Sequence, residues 1–178
     1  MTMRKKLAPL LGVTLALTAC GGSGDSVDAD VMFAQMMIPH HEQAIELADI
    51  ALDPTVGAGP KVLELAAQIK AAQDPEVDVM TSMLEAWGEP TFLDEGMDHS
   101  SMMSGMISVD DMAELETLRG ADFDTAWMKA MIAHHEGAID MANDVIGDGD
   151  DEATTDLARK IIDGQSAEIE RMKALLGK

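Results

Sequence analysis

Apolar residues recur at three- and four-residue spacing through most of this chain, and no stretch alternates as a strand would. Phe33, Met37, His41, Ala44 and Ala48 share one face of a helix predicted over Asp30–Leu52, with Glu42, Glu46 and Asp49 on another. Asp53-Pro54 ends it, and Val56 to Pro60 reads as loop. A second helix starts near Pro60, a residue suited to a first helical position. Its stripe is Val62, Leu65, Ala66, Ile69 and Ala72, and resumes as Val79, Met80, Met83, Leu84 and Trp87. Asp74-Pro75 lies between, and an interior proline costs a backbone hydrogen bond, so a kink or a break is expected there. Gly88-Glu89-Pro90 stops the helix. Ser108 with Asp111 marks the start of a short helix ending at Gly120. A third long helix begins near Asp122 and carries Phe123, Trp127, Met131, His135, Ala138 and Ala142. After a turn at Gly147–Asp150, a fourth covers about Asp151–Leu176 through Leu157, Ile161, Gln165, Ile169, Met172 and Leu176.

The long helices are two copies of one unit. Residues 37–48 (Met-Ile-Pro-His-His-Glu-Gln-Ala-Ile-Glu-Leu-Ala) and 131–142 (Met-Ile-Ala-His-His-Glu-Gly-Ala-Ile-Asp-Met-Ala) agree at eight of twelve positions, at an offset of 94. Leu65, Ala66, Ile69, Gln73, Glu76, Met80 and Leu84 then match Leu157, Ala158, Ile161, Gln165, Glu168, Met172 and Leu176 at an offset of 92. Each half is a helix pair, and two pairs bury their stripes against each other as an all-α four-helix bundle. The bundle is expected over residues 30–178, with a Met-rich loop at 91–107.

The N-terminus reads differently. Arg4, Lys5 and Lys6 precede an apolar run of 11 residues, Leu7 to Leu17, too short to span a bilayer. Residues 1–19 read as a secretory signal. Leu17-Thr18-Ala19-Cys20 resembles a lipobox, which implies an acylated Cys20 and a membrane attachment through its lipid; a plain secretory signal is the alternative. Residues 20–29 read as a flexible tether. Cys20 is the single cysteine, so the chain has neither an internal disulfide nor a thiolate cluster. Losing the three basic residues of the leader takes the formal charge from −21 to −24, a field that repels nucleic acid and attracts cations. A solvated acidic exterior accounts for most of that charge by itself. Self-association is compatible with the pattern.

Four of the five histidines lie in the duplicated triplets His40-His41-Glu42 and His134-His135-Glu136. Neighbouring helical residues point about 100° apart, which puts His41 and His135 on the core stripe and His40 and His134 at its margin. Met37 and Met131 stand four residues before His41 and His135, on the same face. Imidazole with thioether suits copper, and ligation by neutral imidazole weakens as pH falls through the ordinary histidine range. A structural reading stands beside this: His41 and His135 hydrogen-bonded to Glu136 and Glu42 across the repeat axis, fixing helix register. The loop adds Met97, His99, Met102, Met103 and Met106, where exposed methionine reads as soft-metal capture or as a plug over the bundle end.

The motif Met-Ile-Pro-His-His-Glu at 37–42, its copy at 131–136, the Gly120-Ala121-Asp122-Phe123-Asp124 lead-in and Gln165, Glu168, Ile169 and Met172 resemble the bacterial family called domain of unknown function 305. The resemblance covers about Asp30 to Gly177 and implies a ferritin-like four-helix bundle, exported or lipid-anchored, with copper binding associated with some members. There is no Glu-x-x-His of di-iron bundles and no His-Glu-x-x-His of zinc proteases. The leading expectation is therefore a lipid-anchored, extracytoplasmic metal-binding protein that scavenges, buffers or chaperones copper. His41 and His135 are the expected bundle ligands with Met37 and Met131 beside them; His40 and His134 are further or supporting ligands, and Glu42 and Glu136 orient the imidazoles or assist at the rim. A structural or interaction module is the alternative, and a metal-dependent redox enzyme ranks last.

Overall fold

The computed structural model describes residues 24–91 and 103–177, and every described element is helical: α1 Gly24–Leu52, α2 Pro60–Trp87, α3 Val109–Thr117, α4 Gly120–Asp148 and α5 Glu152–Leu175. The signal, Cys20 and the loop residues Met97, His99 and Met102 lie outside the described residues. The tether expectation is corrected at its C-terminal end, where residues 24–29 are helical. Asp30 is buried inside α1, and a helical residue donates to the carbonyl four positions earlier, so the preceding turn is drawn into the helix.

Neither internal proline ends its helix. α2 runs unbroken through Pro75, so of the kink or break expected there the break does not occur. Pro75 is on the solvent side, as is Ala71, whose carbonyl loses its partner. Water can satisfy that carbonyl, while buried Gln73 and Met80 hold the helix on the other face. α1 likewise continues through Pro39. Ser108 caps α3 by accepting from the Asp111 amide at 3.1 Å, as its sequence predicts. Gly120 does not end that helix; it begins α4 at φ +56° and donates its N–H to the Val56 carbonyl.

The interior consists of two apolar clusters. The first contains Ala44, Leu47, Leu65, Ile69, Trp127, Met131 and Met172; the second contains Phe33, Met37, Met80, Leu84, Ala138, Ala142 and Ile161. α1 passes from the second cluster to the first, α2 and α4 from the first to the second, and α5 returns. The helices thus run up, down, down and up. The α2–α4 connection must travel the bundle's length, the single long crossover of ferritin-like bundles. An approximate two-fold axis relates the halves, so the matched residues Phe33 and Trp127 sit in opposite clusters.

The same symmetry locks the turns. Asp124 accepts from the amide of Gly59, the N-cap of α2, at 3.0 Å. Its equivalent, Asp30, accepts from the amide of Asp151, the N-cap of α5, at 3.0 Å. Each pair's first helix therefore pins the other pair's turn. The turn is close at Gly59, where a Cβ would lie 2.6 Å from the Asp124 carboxylate and would push that side chain aside.

Candidate metal centre

The two apolar clusters are separated by a polar layer to which every long helix contributes. α1 supplies His40 and His41, α4 supplies His134 and His135, α2 supplies Gln73 and Glu76, and α5 supplies Gln165 and Glu168. All four histidines are fully buried. His40 and His134 meet where α1 crosses α4, with ring centroids 3.8 Å apart and planes tilted by 37°. The His135 ring centroid is 6.3 Å from that of His134. The imidazoles of the two repeats thus share one interior neighbourhood. The sequence places His41 and His135 at the centre and the other two at the margin; the structure reverses this, because the residues that face across the axis are His40 and His134.

His41 and His135 turn instead toward the partner helix of their own pair. His41 Nε2 lies 2.8 Å from Glu76 Oε2, and His135 Nε2 lies 2.8 Å from Glu168 Oε2. Glu42 and Glu136 do not take this place. Glu42 is exposed, and Glu136 is exposed and bonded to Lys173 at 3.2 Å. Their position in the heptad points them outward, and the carboxylates that orient the imidazoles come from α2 and α5. Glu76 and Glu168 are visible in the sequence as a matched pair, which was the available signal for them.

Hydrogen-bond partners set the tautomers. An ionised carboxylate only accepts, so His41 and His135 donate from Nε2, and a neutral ring so bonded carries its lone pair on Nδ1. His40 donates from Nε2 to the Ser104 carbonyl at 3.1 Å and is left in the same state. Nδ1 of all four rings is buried without a hydrogen-bond partner, and neither nitrogen of His134 makes a well-formed hydrogen bond, although the His40 backbone lies near enough to act weakly on its ring. The side-chain amides of Gln73 and Gln165 are also buried and unpartnered. A histidine that donates one N–H to a carboxylate while its other nitrogen stays free is arranged as metal-ligating histidines are.

Burial, reinforced by neighbouring His41, lowers the His40 pKa from 6.5 to about 3. Burial and neighbouring His40 hold His134 well below 6.5 as well. Both rings are neutral at physiological pH, as ligation requires, and stay neutral through the range in which free histidine charges. The unfolded chain takes up these protons near 6.5, so between that pH and about 3 it binds more protons than the folded state. Stability present above pH 6.5 is therefore lost as pH falls. Denaturant midpoints measured from pH 6.5 down to about 4.5, above most carboxylate titration, are expected to decline steadily. His134→Leu should flatten that slope; an unchanged slope would remove these rings as its origin.

Sulfur is close but divided. Met37 and Met131 are fully buried, in the second and first clusters respectively, so they flank the polar layer from opposite sides. They do not gather into one His/Met site. Met103 and Met106 are half-buried, and Met103 packs against the second cluster. Packing thus accounts for part of what the sequence reads as exposed methionine.

Residues 103–107 cross the polar layer from one cluster to the other. Gln43 grips the Ile107 backbone twice, donating to its carbonyl at 2.9 Å and accepting from its amide at 2.8 Å. On α4, a Cβ at Gly137 would lie 1.9 Å from the Ser104 carbonyl oxygen, and one at Gly105 (φ +81°) would lie 2.4 Å from the Ala133 carbonyl oxygen. Gln43 and Gly137 are matched positions that differ between the repeats, and both hold this segment.

Among the described residues, no three His, Cys, Asp or Glu side chains gather as a ready-made cage. Among those residues, no carboxylate cluster offers a hard cation the several oxygen ligands it takes. A soft monovalent ion takes fewer donors, of the imidazole and thioether kind. The unpartnered nitrogens of His40 and His134 fit that requirement.

Fold and layer together define a duplicated four-helix bundle with a buried polyhistidine centre. The chain belongs to the family described as domain of unknown function 305 (DUF305), whose profile matches residues 30–176. A DUF305 protein from Streptomyces coelicolor, described as secreted, is similar at 30% identity and a TM-score of 0.77, over 87% of this chain and 94% of that one. A DUF305 fragment from Deinococcus radiodurans is similar at 33% identity and a TM-score of 0.74, over 84% and 95%. CopM in its Cu(II)-bound form matches at 29% identity and a TM-score of 0.67, over 82% and 94%; CopM is also known in Cu(I)-bound, Ag-bound and apo forms. Comparison with curated proteins returned no match. Among the described residues, no helix is long and apolar enough to cross a membrane.

Proposed function

We propose that this protein is an exported, lipid-anchored binder of copper that scavenges, buffers or hands on the ion in its reduced, soft state. The observation that carries the proposal is His134: a neutral imidazole, fully buried against His40, with both nitrogens unpartnered. Leaving a buried polar group unpaired costs about 1–3 kcal/mol, which a bound ion would offset. His40 and His134 are the central ligands in this reading. His41 and His135, oriented by Glu76 and Glu168, stand ready as the next donors. Met37 and Met131 border the layer, Met103 and Met106 lie on the crossover, and Met97, His99 and Met102, outside the described residues, are further candidate ligands for capture. Glu42 and Glu136 contribute negative surface charge rather than ligation. The similarity to CopM, crystallised with Cu(I), Cu(II) and Ag, supports the same choice of ion.

The test is a thermal melt with and without Cu(I), Cu(II) and Ag(I). An ion that binds only the folded state at a hundred times its Kd raises stability by about 2.7 kcal/mol. Cu(I) and Ag(I) are expected to raise the melting temperature more than Cu(II). No shift with any of the three would favour the second reading, a structural module in which the His–Glu pairs only tie helices together. That reading has its own support in the two 2.8 Å contacts, His41 with Glu76 and His135 with Glu168.

A further inference from the structure

The duplicated halves differ most usefully at the segment that crosses them. The Ser104 carbonyl accepts from His40 Nε2 at 3.1 Å, whereas His134 makes no well-formed hydrogen bond through either nitrogen. His40 is thereby held as a donor through Nδ1 alone, while His134 can bind through either nitrogen. His134 has no exposure to solvent, so an ion reaches it only if something covering it moves. What lies on its backbone is Gly105: a Cβ on that glycine would stand 3.0 Å from the His134 carbonyl oxygen. The segment has room to lift, because Met106 and Ile107 border a cavity of about 460 Å³ shared with Leu115, Leu118 and Ala130. Its hold on α1 is the pair of Gln43 hydrogen bonds together with the bond from His40 to Ser104, a modest restraint beside the packed helices.

We propose that residues 103–107 form a cover, seated by Gln43 on α1 and Gly137 on α4, that fixes His40 as the stationary ligand and makes His134 the exchanging ligand through which a soft monovalent cation enters and leaves. This rests on the metal-binding reading above. It adds that the site is asymmetric despite the duplication, and that Gln43 and Gly137, the two members of one mismatched position of the repeat, are positioning residues for that asymmetry.

Ag(I), which is soft and does not change oxidation state, is the probe. Imidazole ¹⁵N spectra of the whole protein are expected to show His40 protonated at Nε2 before and after Ag(I) is added. His134 should shift first as the ion is titrated. Gln43→Ala removes both bonds to Ile107 and should speed Ag(I) release by about tenfold. It should also loosen the His40 Nε2–H, seen as faster solvent exchange. Gly137→Ala drives the cover off by a different route while improving helix propensity by about 1 kcal/mol, and is expected to have the same two effects. Equal and simultaneous shifts of His40 and His134 in the wild-type protein would overturn the asymmetry. Release rates and His40 exchange unchanged in both variants would overturn the cover. Failure of the wild-type protein to bind Ag(I) at all would remove this inference together with the proposed function, whereas the first two outcomes leave that function standing.

Discussion

Replacing His134 by Leu is expected to make the metal-free protein more stable, not less. Most substitutions at fully buried positions cost stability, usually by leaving a cavity or an unpaired group. Here the native residue is itself the unpaired group: both ring nitrogens lie away from water with no hydrogen-bond partner. Leu has a similar volume and no polar atoms, so the exchange removes a desolvation penalty of about 1–3 kcal/mol without opening much space. His40 keeps its bond to the Ser104 carbonyl, so no new orphan is created. The response to metal should move the other way. At an Ag(I) concentration a hundred times the wild-type Kd, a hundredfold loss of affinity reduces the stabilisation from about 2.7 to about 0.4 kcal/mol. Denaturant unfolding of both proteins, with and without Ag(I), measures both changes. A variant that is weaker without metal and gains as much from Ag(I) as the wild type would identify the layer as structural. The opposite signs are the useful feature, because an unstable variant that merely unfolds cannot produce them.

Trp127→Ala is expected to be the most damaging single change, costing about 3–5 kcal/mol. Trp127 is completely buried in the first cluster, and its indole N–H donates to the Leu47 carbonyl at 2.8 Å. That bond joins α4 to α1, the helices that carry the histidine pairs. Removing the ring leaves a large void and takes away the second hydrogen bond of the Leu47 carbonyl, which keeps only its helical partner. Against a typical total of about 5–15 kcal/mol, the loss brings the bundle close to its limit. Trp127→Phe restores most of the volume but not the N–H, and should cost roughly 1–2 kcal/mol. Far-UV circular dichroism in a urea series separates the three proteins. Equal midpoints for the Ala and Phe variants would mean that filling the cluster contributes nothing beyond the hydrogen bond.

Much of this architecture is legible in the order of residues. The period of 3.6 and the matched stripes define four long helices, since which side of a helix is apolar depends only on local spacing. The duplication implies an approximate two-fold axis, and so that the His-His pairs of the two halves share an interior. The exact proline effects were not legible. Whether Pro75 breaks α2 depends on whether its ring and the freed Ala71 carbonyl face water, and that is decided by how the helix is turned against α1.

The site itself divides along the same line. Which residue types are present, and that no thiolate, di-iron or zinc-protease motif is among them, follows from the sequence alone. That His40 rather than His41 faces the opposite repeat does not, because a rotation of α1 by a fraction of the 100° between neighbours exchanges their roles. Glu42 stands beside His41 in the chain, yet Glu76 is the residue that meets its ring, because helix register brings together groups 35 positions apart. The hold of Gln43 on Ile107 and of Gly137 on Ser104 arises only where a crossover passes over two helices at once. Local pattern determined the helices, their pairing and the kind of donors available; long-range packing alone decided which nitrogens were left without partners, and those nitrogens carry the function proposed for this protein.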